Sequence, residues 1–171
     1  MTDPELLEPP DGYRFVTRAP VQPDDFDAQG HLNNAAIVRI FNDTRMIYVP
    51  TQIGPRWTNW LRPSGVVVVA KELHVRYESE GMPGDELLAA VRMVERRGRA
   101  TIVEQQLLTR ADRRVIASAW IVQLLAKDGA AIEWPDWYWP LLEAVEGHPF
   151  PPGPSLPRVK WGAPPLAADV E

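Results

Sequence analysis

Carboxylates and an imidazole stand close together in one short stretch of the chain. Residues 24–34 read Asp-Asp-Phe-Asp-Ala-Gln-Gly-His-Leu-Asn-Asn, so Asp27 and His31 are four residues apart. Side chains of these types transfer protons, attack electrophilic carbon or bind cations. Because catalytic and binding groups are commonly placed on loops held by rigid elements, this stretch is the candidate functional site.

A calcium-binding loop is one interpretation of the stretch. The first, third, fifth and sixth positions of an EF-hand pattern are occupied by Asp25, Asp27, Gln29 and Gly30. The twelfth position should carry a bidentate Glu, and Ala36 stands there instead. A solvated turn that caps a following helix is the other non-catalytic interpretation, because Asp and Asn favour turns and caps.

Several reaction classes are disfavoured by what the sequence lacks. Cysteine is absent, which excludes a thiolate nucleophile, a thiolate metal site and disulfides. None of the histidines has a second His at ligand spacing; they are His31, His74 and His148. The patterns of serine hydrolases, phosphate loops and dinucleotide-binding turns are also missing. The sequence therefore predicts neither a metal nor another cofactor.

The composition predicts one compact domain. The 171 residues are 45% hydrophobic and 24% charged, which is ordinary for a globular protein. The net charge of -5 argues against a nucleic-acid binder that neutralises phosphates over a basic face. Residues 1–10 lack the features of a signal peptide, and the longest apolar stretch, residues 115–126, is far shorter than the roughly 20 residues that span a bilayer. We expect a cytoplasmic protein that binds neither nucleic acid nor membrane.

A helix is predicted directly after the candidate loop, over residues 34–48. Its buried face is predicted from side chains at offsets of three, four and seven, namely Ile37, Ile40, Phe41, Thr44, Ile47 and Tyr48. Asn33 or Asn34 is the expected cap. Pro50 disfavours helical geometry in the residue before it, so the helix is expected to end near Tyr48.

Apolar and β-branched patterns predict five strands. They cover residues 13–22, 65–78, 86–97, 100–109 and 115–125. Turn residues separate the last three strands, which should form hairpin-connected neighbours. Residues 55–63 are an aromatic loop or a short helical turn. One long helix with five strands predicts an α+β fold in which an antiparallel sheet wraps around the helix.

The C-terminal part of the chain differs in composition. Four aromatic residues between Trp134 and Trp139 precede a possible short helix at residues 141–146 and then five prolines within residues 149–157. Dense prolines favour polyproline II, and tryptophans this dense are seldom left in water. We divide the chain into a main domain, residues 1–130, and an aromatic, proline-rich extension, residues 131–171, packed on that domain.

The loop and the helix together resemble a known family. The pattern Asp-x-Asp-Ala-x-Gly-His-x-Asn-Asn, followed by an apolar helix that carries Arg45, is similar to the signature of the 4-hydroxybenzoyl-CoA thioesterase branch of the hot-dog superfamily. The close match covers residues 21–48, and the strand order extends a weaker resemblance to about residue 127. The resemblance implies the hot-dog fold, hydrolysis of an acyl-CoA to free acid and CoA, and a homodimer or homotetramer with sites at the subunit interface.

The resemblance also implies roles for individual residues by position. Asp27 matches the carboxylate that serves the family as nucleophile or general base, and the sequence leaves both roles open. The backbone N–H near Asn34 matches the donor that polarises the thioester carbonyl, which suits a helix N-terminus. His31 matches a histidine expected to orient the loop or the substrate, and it completes the predicted catalytic set. Gly30 and Asn33 are assigned to substrate binding, although capping is the preferred interpretation of Asn33, because Asn is among the favoured cap residues.

Functions of two other kinds remain open. A non-catalytic acyl-thioester-binding or assembly protein would keep the fold without turnover, since fold does not determine function, but the retention of Asp27 argues against it. A hot-dog hydratase or dehydratase usually carries a histidine paired with a carboxylate on a differently spaced motif, which this loop does not reproduce. Arginines at two predicted turns could meet CoA phosphates, and none is assigned individually: Arg92, Arg96, Arg97, Arg99, Arg110, Arg113 and Arg114.

Overall fold

The structure, a computed structural model, describes residues 7–154. In chain order the elements are β1 (Phe15–Arg18), a 3-10 turn (Pro23–Asp25), α1 (Asn34–Ile53), α2 (Pro55–Ser64), β2 (Val67–Tyr77), β3 (Leu87–Arg97), β4 (Ala100–Thr109), β5 (Val115–Lys127), β6 (Ala130–Ile132) and α3 (Tyr138–Glu146). The strands form one antiparallel sheet in the order β1-β3-β4-β5-β2, with β6 paired to β5. The predicted α+β architecture and the β3-β4-β5 meander are confirmed.

Helix α1 lies on the inner face of the sheet, chiefly against β3 and β4. Asn33 caps it, since its side-chain oxygen accepts a hydrogen bond from the backbone N–H of Ala36 at 2.7 Å. The predicted stripe is buried at Ile37, Phe41 and Tyr48, but the prediction is wrong for Ile47, which is exposed. The buried positions place apolar surface against the sheet and leave the helix N-terminus at the candidate loop. Burial of this stripe is what holds the loop in position.

The prediction that α1 ends near Tyr48 is wrong, because the helix continues through Pro50 to Ile53. A proline removes one backbone N–H from the helical ladder, and the residue that loses this donor, Met46, lies on the exposed side of the helix. Val49 is buried and Ile53 packs against the same core, so tertiary packing keeps the last turn helical.

Residues 55–64 form the helix α2 rather than a loop. Pro55 stands at its first turn, where a missing N–H costs nothing. The short strand β6 was not predicted. Its signal was present in the sequence, because Asp128 and Gly129 form the two-residue turn from β5 and both have positive φ angles, as such hairpins require.

An aromatic cluster joins α2 to the segment that follows β6. Its rings are Trp57, Trp60, Trp134, Trp137, Tyr138, Trp139 and Phe150. Trp57 stacks on Trp134 with centroids 5.9 Å apart, and Tyr138 is completely buried. The segment after residue 130 therefore supplies part of the main core, while the domain division at residue 130 stays a prediction. Residues 155–171, including Pro157 of the predicted polyproline segment, lie outside the described residues.

A buried carboxylate, Glu146, fastens the end of α3 to the rest of the fold. It is 6% exposed and accepts hydrogen bonds from the Tyr48 hydroxyl of α1 and, at 2.6 Å, from the backbone N–H of Met93. Strand β1 pairs with β3 only as far as Val91, so Met93 lies on an edge that β1 does not cover. The carboxylate of Glu146 satisfies that backbone donor in place of a neighbouring strand.

Candidate active site

The candidate loop is closed by short-range backbone pairing. Phe26 and Leu32 form an isolated antiparallel bridge, and the N–H of Asp27 donates to the carbonyl of His31 at 2.8 Å. The N–H of Gly30 donates back to the carbonyl of Asp27 at 3.0 Å, with φ of 83° at Gly30. A residue with a side chain would be strained at this angle, so glycine allows the tight turn that places His31 beside Asp27.

The carboxylate of Asp27 is exposed and oriented by the loop backbone. Its Oδ1 accepts hydrogen bonds from the N–H of His31 at 3.0 Å and of Gln29 at 2.8 Å. These hydrogen bonds, chiefly the one from His31, lower the pKa of Asp27 below its ordinary value. Both end on Oδ1, so Oδ2 is the oxygen available to a substrate or a water molecule. The carboxylate is therefore ionised at neutral pH and held in one orientation.

The N-terminus of α1 offers backbone donors to the same region. Of its first N–H groups, that of Asn33 donates to the carbonyl of Asp25 and that of Ala36 to the side chain of Asn33. The N–H groups of Asn34 and Ala35 have no acceptor in the described part of the chain. Free donors at the positive end of a helix dipole suit a developing oxyanion.

A cavity of about 910 Å³ joins the loop, the helix N-terminus and the segment after β2. Of the predicted site residues, Asp27, His31, Asn33 and Asn34 line it, and Gly30 does not. The opposite wall comes from the end of β2 and the following connection: Tyr77, Glu78, Ser79, Glu80, Gly81 and Met82. The N–H of Leu32 donates to the carbonyl of Gly81 at 2.8 Å, so the two walls are directly joined.

Two charged residues that were not among the predicted site residues stabilise the walls of the cavity. Asp25 accepts from the N–H of Gln22 and from Arg39, whose Nη2 lies 2.7 Å from Oδ2, so Asp25 shapes the loop. Arg114 donates to the Ser79 hydroxyl at 3.0 Å and to the carbonyl of Glu80, and its Nη2 lies 3.2 Å from an oxygen of Asp85. The guanidinium thereby fixes the second wall of the cavity.

The sequence did not predict that the end of β2 and the connection after it would form the second wall of the cavity. Tyr77, Glu80 and Arg114 follow no motif that links them to the loop, and only the sheet topology brings the end of β2 beside the N-terminus of α1. Arg114 belongs to the arginines at the predicted turns, and the sequence assigns it no individual role. The other clustered arginines make contacts elsewhere; for example, Arg92 donates to Glu104 at 2.6 Å.

Within residues 7–154, no group of three or more His, Cys, Asp or Glu side chains is placed to hold a metal ion. None of the helices described is long and apolar enough to cross a membrane.

An antiparallel sheet around one long helix, with a loop carboxylate at the start of that helix, defines a protein of the hot-dog class. The family model of the thioesterase-like superfamily matches residues 21–145. The chain belongs to this superfamily, as the loop motif predicted. A comparison with curated proteins finds no match.

Solved structures place the fold in the same class. A thioesterase from Thermus thermophilus, complexed with coenzyme A and Zn, is 25% identical, with a TM-score of 0.69 over 82% of this chain and 99% of that one. A 1,4-dihydroxy-2-naphthoyl-CoA thioesterase from Synechocystis is 12% identical, with a TM-score of 0.66 over 79% and 98% of the two chains. A Staphylococcus aureus protein in complex with CoA is 14% identical, with a TM-score of 0.70 over 92% and 94%.

Proposed function

We propose that this protein is a cytoplasmic acyl-CoA thioesterase that hydrolyses an acyl-CoA to free acid and CoA. One observation carries the proposal: the oriented carboxylate of Asp27 and the N-terminus of α1 at Asn34 line a single cavity. A nucleophile or base and an oxyanion donor that face one space are the two components that acyl transfer needs.

The chemistry of a thioester suits this small set of groups. The carbonyl is electrophilic and the thiolate leaves readily, so one carboxylate can start the reaction. Oδ2 of Asp27 can attack the carbonyl carbon directly, or it can take a proton from a water that attacks. The free N–H groups of Asn34 and Ala35 would receive the charge that develops on the carbonyl oxygen. Both routes use the same geometry.

Coenzyme A is the proposed carrier of the acyl group. The Thermus thermophilus and Staphylococcus aureus structures are described as complexes with CoA, and the matched family is named for thioesterases. These comparisons indicate no common acyl group for the substrate, so a screen over different acyl-CoAs is the direct test.

The first prediction is turnover of at least one acyl-CoA by the purified full-length protein. Short, long and aromatic acyl-CoAs would be screened with detection of the free thiol, and we expect hydrolysis that depends on Asp27. Binding of acyl-CoAs without release of thiol from any of them would contradict the proposal and support the non-catalytic, acyl-thioester-binding function instead.

We further propose that the protein is a homo-oligomer, because the free edge strand β2 exposes several large apolar side chains. The large apolar side chains exposed on this strand are Val67, Val69, Leu73 and Tyr77. Leu73 pairs with the buried Ile121 of β5, and directly opposite residues share a face of the sheet. Leu73 therefore lies on the helix side of the sheet, beyond the part that α1 covers. Open apolar edge strands are usually covered by a partner.

A second copy of the chain is the proposed partner, and Tyr77 at the end of β2 would bring that interface to the cavity. We expect light scattering to report a dimer or larger for the wild type and a smaller species for Leu73→Asp, which places a charge on the same face of β2 as Tyr77. Ala111→Asp adds the same charge at an exposed turn and should leave the assembly unchanged. A wild-type monomer at working concentration would refute this prediction.

A further inference from the structure

A second carboxylate, that of Glu80, lies close to His31 in the cavity. Nε2 of His31 lies 3.6 Å from Oε2 of Glu80, in an ion-pair contact between the loop and the connection after β2. Glu80 is remote from the loop in sequence, and both residues line the cavity that contains Asp27. At this distance the contact is an ion pair with the protonated ring rather than a hydrogen bond. The carboxylate attracts the imidazolium and orients it, which leaves the other nitrogen for chemistry.

The second nitrogen of the ring is available. Nδ1 of His31 makes no hydrogen bond within residues 7–154. His31 is also fixed at its backbone, because its N–H donates to Asp27 and its carbonyl accepts from Asp27. The imidazole therefore belongs to the residue next to the oriented carboxylate, with Nε2 facing Glu80 and Nδ1 without a hydrogen-bond partner in the described residues.

Other ionisable groups around the cavity are poor proton donors. Asp27 is ionised at neutral pH because its pKa is lowered. Glu78 forms an ion pair with Arg76, with 3.1 Å between the charged atoms, and the guanidinium of Arg114 donates its hydrogen bonds to the cavity wall. Histidine is the side chain that ordinarily gives and takes protons between pH 5 and 8.

We propose that Glu80 is a positioning residue that holds His31 so that its free nitrogen gives a proton to the departing sulfur. The inference rests on the proposed thioesterase function. In this step His31 is the imidazolium, with a proton on each ring nitrogen. As the C–S bond breaks, its electron pair passes to sulfur, and the proton on Nδ1 of His31 moves to that sulfur to give the CoA thiol, which leaves a neutral imidazole. The water that becomes part of the acid returns a proton to His31, directly or through Asp27, so the cycle balances.

The test compares two thioesters of the same acyl group. One carries CoA, and the other carries a nitrothiophenol, whose thiolate is stable enough to leave without a proton. Glu80→Gln should lower kcat/KM on the CoA ester by about tenfold, which is less than the roughly 10² to 10⁴ that positioned proton transfer contributes, because His31 itself remains. It should change the rate with the nitrothiophenol ester less than about twofold. His31→Gln should show the same selectivity with a larger loss.

Two controls separate positioning from a general disturbance of the loop. Glu86→Gln removes one charge from the same connection, where Glu86 pairs with Arg110 at 2.7 Å outside the cavity, and it should leave both rates unchanged. In a His31→Gln background, Glu80→Gln should have no further effect, because residues that act through each other are not additive.

Each outcome bears on a different claim. Equal losses on both esters, or an unchanged rate with the CoA ester, would overturn the role of Glu80 while the thioesterase function stands. Additive effects of the two substitutions would overturn the coupling to His31. A wild type that hydrolyses neither ester would overturn the proposed function and, with it, this inference.

Discussion

Asp27→Asn is expected to lower kcat on the best acyl-CoA at least about a hundredfold, because a positioned base contributes about 10² to 10⁴ in rate. The substitution keeps the shape and an oxygen that can accept from His31 and Gln29. It removes the negative charge that either route, nucleophilic or general base, requires. Melting temperature and acyl-CoA binding should change little, since the side chain is exposed.

Two neighbouring carboxylates supply controls for this loss. Asp24 is exposed in the same loop, so Asp24→Asn removes an equal charge without touching the site and should leave kcat unchanged. Asp25→Asn weakens the contacts to Gln22 and Arg39 that shape the loop, and its effect should be much milder than that of Asp27→Asn. If Asp27→Asn retained more than about a tenth of wild-type kcat, the assignment of Asp27 would be wrong.

The pH dependence gives a further check on Asp27. Its pKa is lowered from an ordinary value near 4, so the carboxylate stays ionised as pH falls to that value. Loss of rate caused by protonation of Asp27 should therefore appear only below about pH 4, provided that the fold persists there. A loss of rate between pH 5 and 8 would have to come from another group, and histidine is the side-chain type that titrates in that range.

The second large effect concerns stability and falls on Glu146. Glu146→Ala leaves the Tyr48 hydroxyl and the Met93 N–H without their acceptor. Each buried donor left unpaired costs about 1–3 kcal/mol, so we expect a loss of at least about 2 kcal/mol in the free energy of unfolding. For a chain of this size that corresponds to roughly 4–8 °C in Tm. Thermal unfolding followed by circular dichroism would measure it.

Glu133→Ala is the matched control for this substitution. Glu133 is exposed and pairs with Arg99 at 2.9 Å, and exposed ion pairs contribute about 0–1 kcal/mol. Its Tm should therefore stay close to that of the wild type. Equal Tm values for Glu146→Ala and the wild type would mean that the Glu146 contacts do not hold α3 in place.

Glu146→Gln tests the charge separately from the hydrogen bonds. An amide oxygen can still accept from Met93 and Tyr48, so the loss should be smaller than for Ala. Burial raises the pKa of Glu146 above its ordinary value, so the folded state binds the proton more tightly than the unfolded state. The wild type should then lose stability as pH rises from about 4.3, the ordinary value, through the raised one. The Tm of Glu146→Gln relative to wild type should rise over that interval.

Local patterns in the sequence were sufficient to predict the loop, the central helix and the meander of β3, β4 and β5. Asp27, Gly30, His31 and Asn33 lie within one short segment, and their hydrogen bonds are to that segment's own backbone. The buried stripe of α1 and the hairpins β3-β4-β5 likewise follow from side-chain periodicity and turn residues. Neighbouring residues determine such features, so one segment can be interpreted without the others.

Tertiary packing alone decided the features that join distant segments. The local sequence around Pro50 predicted a helix end. The helix continues because burial of Val49 and the packing of Ile53 outweigh the loss of one backbone hydrogen bond. The contact of Glu80 with His31 and that of Glu146 with Met93 depend on which strand edges and helix ends become neighbours in the sheet. No periodicity within a segment records these contacts, because they arise only after the chain has brought remote residues together.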